Sequence, residues 1–205
     1  MFPGMRKTCR HRSTLLTLAV LSLVGAGALG CERRPIGEPR VLVENAAWTW
    51  FNDERAILAD GRLLVGHVDT AGYSGVTVVP LRGDGAPRPY RLGSFQERDD
   101  HNNPSLLELA DGRVLAVYAP HDTQPYWYWR HGRLEGDSVA WSAERRTGHL
   151  GATATYANLF QLREEDGRVY DFFRGINFNP TYMVSGDGGE TWKPSVTSMF
   201  GHITR

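Results

Sequence analysis

Four side chains of suitable type stand at positions that a folded chain can gather. His101 lies in Asp99-Asp100-His101-Asn102-Asn103-Pro104 and His121 in Tyr118-Ala119-Pro120-His121-Asp122. Tyr156 lies in Thr155-Tyr156-Ala157-Asn158-Leu159 and Arg174 in Phe172-Phe173-Arg174-Gly175-Ile176-Asn177. Imidazole and phenol groups move protons, and a guanidinium binds a carboxylate through two parallel hydrogen bonds. The set suits β-elimination from a uronate-containing polysaccharide. That step removes the proton α to the sugar carboxylate and expels the 4-linked oxygen. It needs a positive group on the carboxylate, a base and an acid. Arg174 fits the first need. A histidine, or a tyrosine whose pKa is lowered by nearby cations, fits the others.

Each of these residues also has a structural reading. His101 can cap a turn with Asn102 and Asn103, His121 can be an exposed loop residue, and Tyr156 can be a packing residue at a strand start. Arg174 can pair with Asp171 or Glu54, and Asn158 and Asn177 can satisfy backbone groups in turns. Trp127 and Trp129 alternate with Tyr126 and Tyr128, so one face of that segment belongs to a core and the other is free to stack on sugar rings. His67, His131, His149 and His202 show no pairing at metal-ligand spacing, and His101 and His121 stand 20 residues apart on separate strands. No cofactor is expected and no residue is assigned to a metal, but the sequence leaves a metal ion at His101 and His121 open.

The elements that position these residues come from a repeated hairpin. Leu58-Ala59-Asp60-Gly61-Arg62-Leu63-Leu64-Val65 recurs as Leu109-Ala110-Asp111-Gly112-Arg113-Val114-Leu115-Ala116, and more loosely as Arg163-Glu164-Glu165-Asp166-Gly167-Arg168-Val169-Tyr170. The aspartates are 51 and then 55 positions apart. Asp-Gly between apolar runs marks a tight turn between antiparallel strands. Three such turns at a spacing near 50 mark a repeating unit. In the second unit the strands read as Pro104–Leu109, Val114–Ala119, Tyr126–Arg130 and Val139–Glu144. In the third they read as Tyr156–Leu162, Val169–Arg174, Thr181–Ser185 and a strand after Trp192. Four antiparallel strands per unit make a propeller blade. The expectation is an all-β chain whose residues 45–205 form about three four-stranded blades of an incomplete β-propeller, six or seven blades in full. A closed propeller has four to eight blades, and a three-blade arc leaves apolar side faces exposed.

Ser185-Gly186-Asp187-Gly188-Gly189-Glu190-Thr191-Trp192 fits S-x-D-x-G-x-T-W at every fixed position. With Trp48-Thr49-Trp50-Phe51-Asn52-Asp53-Glu54-Arg55-Ala56-Ile57 and the four segments above, it resembles the sialidase-like Asp-box, or bacterial neuraminidase repeat, propellers, nearest the subgroup that includes ulvan lyases. The resemblance runs from about Trp48 to Trp192. It implies that the box joins the third and fourth strands of a blade, away from any catalytic face. It also implies that His101 and Tyr156 transfer protons and Arg174 neutralises the sugar carboxylate. His121, Asn103, Asn158 and Arg55 are the matching candidates for substrate binding. Three functions follow as alternatives: a polysaccharide lyase, a sialidase-type glycoside hydrolase, and a non-catalytic glycan-binding surface lipoprotein. Arg55 lies near where the first arginine of a sialidase cluster stands, but Ala56-Ile57 follow it where sialidases have Ile-Pro.

Residues 1–30 read as a signal peptide of lipoprotein type. Arg6, Lys7, Arg10 and Arg12 precede an apolar run from Leu15 to Leu29, and Ala28-Leu29-Gly30 lead into Cys31, the candidate for lipidation. Residues 31–44 read as a linker. The chain is thus expected to be exported and held at the cell envelope by a membrane-inserted lipid, or otherwise periplasmic or secreted. Removing those four basic residues from 23 leaves 19 against 23 acidic groups, a net charge of −4. That excludes a nucleic-acid partner and leaves an acidic polysaccharide or other glycan. Cys9 and Cys31 are the only cysteines, so the body carries no disulfide.

Overall fold

The three Asp-Gly hairpins fold as three antiparallel sheets. The structure, a computed structural model, describes residues 41–47, 49, 55–82, 85–148 and 150–194. The signal segment, Cys31, residues 31–40 of the linker and most of the Trp48–Glu54 stretch lie outside them. The first sheet runs β1 (Ala56–Ala59), β2 (Arg62–Val68), β3 (Ser74–Pro80) and β4 (Arg88–Arg91). The second runs β5 (Ser105–Glu108), β6 (Arg113–Tyr118), β7 (Tyr128–Glu135) and β8 (Ser138–Trp141), with β9 (Arg145–Arg146) also paired to β7. The third runs β10 (Thr155–Leu162), β11 (Arg168–Arg174), β12 (Pro180–Ser185) and β13 (Lys193–Pro194). In each, the first four strands lie in space in their sequence order. The first strands lie together, β5 beside both β1 and β10. This is the blade arrangement of a propeller.

Two apolar layers hold the blades together. Leu64, Val76, Val78 and Leu92 of the first blade pack on Leu106, Val114, Ala116 and Tyr118 of the second. Leu115, Val117, Trp127 and Trp129 of the second pack on Ala157, Leu159, Val169, Phe173 and Met183 of the third. Successive residues of β6 therefore point into different layers. A strand covered on both faces reads as a continuous apolar run, as Val114–Ala119 does. Trp127 is fully buried and Trp129 nearly so, which places both in core. The far face of the third blade carries Phe160, Tyr170, Phe172 and Tyr182, with neighbouring rings about 6 Å apart.

The outer edge of the second blade departs from expectation. The sequence predicts one strand over Val139–Glu144, but pairing stops at Trp141 and resumes at Arg145. Ser142 interrupts it: its hydroxyl accepts the His131 N–H at 3.0 Å, in place of a backbone carbonyl. The third strand runs Tyr128–Glu135 rather than Tyr126–Arg130 because Trp127 turns its amide to Thr147 Oγ1.

The Asp box lies between β12 and β13, at the same sheet end as the Asp-Gly hairpins. Asp187 Oδ1 accepts from Ser185 Oγ at 2.7 Å and from the Thr191 N–H at 2.9 Å, and Oδ2 accepts from Thr191 Oγ1 at 2.5 Å. Trp192 stands edge-on to Trp127 with ring centroids 4.8 Å apart. Glu190 reaches back to the second blade, accepting from Arg113 at 2.6 Å and Arg145 at 2.7 Å. Gly188 O receives His131 Nε2 at 2.9 Å. The box thus pins one blade to the next, and its aspartate is committed to the turn.

Gly189 has φ +86°, and a Cβ there would stand 2.8 Å from Leu115 Cδ2. Gly189→Ala is expected to lower the unfolding free energy by about 1–3 kcal/mol, read from denaturant titration. Acid acts on the same turn. Burial pushes the Asp187 carboxyl up, but its hydrogen bonds to Thr191 and Ser185 outweigh this and bring it from 3.8 down to about 2. A carboxyl depressed by folding stabilises the fold above its ordinary pKa, and that contribution is lost as pH falls from about 3.8 toward 2. Replacing Asp187 with Asn should flatten that part of the stability profile.

Candidate functional site

In an antiparallel meander the first and third turns share one sheet end, and the second turn and the crossover to the next blade share the other. His101 sits in the crossover before β5, His121 in the turn after β6, Tyr156 at the start of β10 and Arg174 at the end of β11. All four therefore lie at the end opposite the Asp box.

The crossover is shaped by a short 3-10 turn, Asp100–Asn102, which Asp99 caps by accepting the His101 N–H at 2.9 Å. Asp99 does more than cap. Its Oδ1 lies 2.5 Å from His101 Nδ1, and its Oδ2 lies 2.6 Å from His121 Nδ1. Asp100 Oδ1 stands 2.9 Å from the same His101 nitrogen. Glu97 ties the two loops together, accepting from the His121 N–H at 2.9 Å and from Asn102 Nδ2 at 3.0 Å. The imidazoles stack with centroids 4.0 Å apart and planes 19° apart. Burial pushes the Asp99 carboxyl up, but the hydrogen bonds from His121 and His101 outweigh it and hold it below the usual carboxylate range.

Tyr156 lies next, its ring 5.2 Å from that of His101. It sits at a register break in the β10–β11 pairing, between Thr155 and Asn158, and has φ +67°. A bulky residue in the left-handed region is strained, and bulges re-aim side chains. Burial pushes the phenol pKa up, Arg174 pulls it down, and Asp100 and Asp99 push it up again, so the net direction is upward. The cation-lowered tyrosine considered from the sequence is not what the free protein holds. The phenol keeps its proton.

The Arg174 guanidinium carbon is 5.5 Å from the Tyr156 ring and 5.3 Å from that of Phe178, and Nη2 donates to Thr155 Oγ1 at 3.2 Å. Neither Asp171 nor any other carboxylate among the described residues pairs with it. Asp171 is fully buried and accepts the Asn158 N–H at 2.9 Å. Phe178 is 66% exposed and, like Asn177, left-handed, with φ +60°. Tyr156, Asn158, Phe172, Arg174, Phe178 and Pro180 line a cleft of about 290 Å³.

The other sequence candidates turn inward. Arg55 is 4% exposed and donates to Ala157 O at 2.5 Å and Asn158 Oδ1 at 3.1 Å, joining the first blade to the third. Asn103 is buried and donates to Ala47 O. Asn158 donates to Phe172 O while standing at the cleft wall. A larger hollow of about 660 Å³ on the first blade is lined in part by His67 and shares no residue with this cluster. His67 is buried against Thr77 Oγ1, and burial lowers its pKa.

Asp99, Asp100 and Phe178 are the residues that sequence reasoning missed. The adjacency of Asp99 to His101 was visible in the motif; its bond to His121, 22 residues on, was not. Asp99, His101 and His121 also have metal-ligand donor types, with one atom from each within 4.8 Å of the others.

Residues 49–198 match the model of the family described as BNR repeat-containing family member. None of the curated proteins compared matches the chain. Among solved structures, the chain is similar to an ulvan lyase of polysaccharide lyase family PL25 bound to -[GlcA(1-4)Rha3S]-, with a TM-score of 0.59 and 18% identity over 76% of this chain and 40% of that one. A second ulvan lyase structure of that family gives 0.56 and 19% over 76% and 39%. An exo-β-1,3-galactanase from Phanerochaete chrysosporium follows at 0.49 and 10% over 76% and 41%. The chain thus spans about two fifths of the length of these structures, and the likeness is one of fold. The match over residues 49–198 places this chain in the BNR repeat-containing family.

Proposed function

We propose that this protein is a polysaccharide lyase that cleaves a uronate-containing polymer by β-elimination. The observation that carries the reading is one continuous cluster: His121 stacked on His101, His101 beside Tyr156, and Tyr156 beside Arg174. Arg174, bonded to Thr155 and within 5.5 Å of two aromatic rings, binds the uronate carboxylate and stabilises the charge that develops as the α-proton leaves. His101 takes that proton. The electron pair becomes a double bond to the neighbouring carbon, and the 4-linked oxygen departs. Tyr156, whose phenol holds its proton, donates it to that oxygen. His121 binds the sugar beside His101 by accepting from one of its hydroxyls, and the exposed Phe178 ring offers a stacking surface at the cleft. The fold shared with two ulvan lyases, one holding a glucuronate-containing ligand, supports a uronate substrate.

The hydrolase alternative is less well supported. Arg55, the residue that would begin a sialidase arginine cluster, is buried with its guanidinium turned to Ala157 and Asn158. The same proposal puts the protein at the cell envelope, acylated at Cys31, where an extracellular polymer is accessible.

Incubation with ulvan and other uronate polymers should generate the ultraviolet absorbance of an unsaturated uronate. His101→Ala, Tyr156→Phe and Arg174→Ala should each lower kcat by about 10²–10⁴-fold while unfolding midpoints stay close to wild type. New reducing ends without that absorbance would replace the lyase with a hydrolase. Retention on a glycan column without turnover would replace it with a binding protein.

A further inference from the structure

One carboxylate serves two imidazoles, and orientation decides what kind of site this makes. A metal ion lies in the plane of every imidazole that ligates it, on the nitrogen lone pair. The His101 and His121 planes are stacked 4.0 Å apart and only 19° from parallel. Their Nδ1 lone pairs therefore run in separate, nearly parallel planes and do not meet at one point. A carboxylate offers two oxygens side by side, and the two Nδ1 atoms find one each, at 2.5 and 2.6 Å. Both contacts are within hydrogen-bond reach and shorter than the about 2.7–2.9 Å usual for an N–H donor on a carboxylate.

We propose that Asp99 is the positioning residue of the site: it clamps His101 and His121 in the Nδ1-protonated tautomer and leaves both Nε2 atoms as the proton-accepting groups. An ionised carboxylate only accepts, so each Nδ1 facing it must carry the hydrogen. The hydrogen bonds that hold Asp99 below the usual carboxylate range keep it in that form. Nε2 stands across the ring from Nδ1 and is directed away from Asp99. His101 and His121 keep 19% and 27% of their side-chain surface open. Asp100 backs the His101 nitrogen, and Glu97 holds the His121 backbone, so the crossover braces both histidines. The effect on turnover rests on the lyase reading; the tautomer assignment does not.

The test is long-range proton–nitrogen correlation NMR on the protein with ¹⁵N-labelled histidine. The wild-type spectrum should show His101 and His121 each with a protonated Nδ1 and a bare Nε2. In Asp99→Asn the carboxamide oxygen still accepts from one ring and can cap the short turn, but its NH₂ faces the other ring. That ring must move its proton to Nε2, so one of the two patterns should invert. On a uronate polymer kcat should fall by about 10²–10⁴-fold, as for a wrong imidazole tautomer in a hydrolase triad, with KM nearly unchanged. Nε2-protonated rings in the wild type would overturn the proposal without any variant. So would stoichiometric Zn²⁺ binding that shifts both Nδ1 signals. If no uronate polymer is turned over, the lyase reading fails, and the spectra alone still decide the role of Asp99.

Discussion

An antiparallel meander allows each turn only one end of the sheet. With four strands per blade, the turn between the first two strands and the turn between the last two share an end. The middle turn and the crossover share the other. Everything here follows from that parity. The Asp-Gly hairpins and the Asp box crowd one end and lock blade to blade through Glu190, Arg113 and Arg145. The remaining end receives His101, His121, Tyr156 and Arg174 with no further instruction. Stability and chemistry are thereby assigned to opposite ends of the same sheets, so the turns at the second end are free of the box's packing demands.

That freedom is used for strain. Tyr156, Asn177 and Phe178 all adopt left-handed backbone, and the rings of Tyr156 and Phe178 both lie within 5.5 Å of the Arg174 guanidinium carbon. Such conformations persist only where the surroundings over-determine them. Here the surroundings are a layer of Trp127, Leu159, Phe173 and Met183 beneath, and a set of buried polar ties at the inner strands. Arg55 holds Ala157 O and Asn158, Ser105 Oγ receives the Leu159 N–H at 3.0 Å, and Asn158 holds Phe172 O. These side chains fix the bulged strand on which Tyr156 is mounted. Arg55 and Asn158 therefore act on the site through its frame.

Turn chemistry is local, which is why the architecture was readable. An Asp-Gly pair between apolar runs specifies a hairpin whatever surrounds it, and three copies gave three sheets. Strand ends were less legible, because pairing at an edge depends on side chains such as Ser142 that substitute for the ladder. At the site, His101, His121, Tyr156 and Arg174 could be placed from strand order alone. Three features could not. The Asp99–His121 bond joins loops that meet only after folding. The inward turn of Arg55 and Asn103 depends on burial beside inner strands, which composition does not reveal. The upward direction of the Tyr156 pKa depends on desolvation and two nearby aspartates as well as Arg174.

Those opposing charges also bear on the acidic ligand proposed for the cleft. Asp99 and Asp100 lie on the histidine side of Tyr156, where their charge is engaged by Nδ1–H groups. Arg174 lies on the other side, near a threonine hydroxyl and two aromatic faces, with no carboxylate among the described residues paired to it. A hydroxyl and ring faces orient a guanidinium without neutralising it. An incoming carboxylate therefore meets a preset cation at little cost in reorganisation, while the aspartates, already occupied, repel it less than free carboxylates would. The same ligand, once seated, puts a negative charge beside the Tyr156 phenol and further favours its protonated form. On the proposed lyase reading, binding would reinforce the state in which the phenol can donate, and the cluster would run from proton acceptor to proton donor to anion receptor.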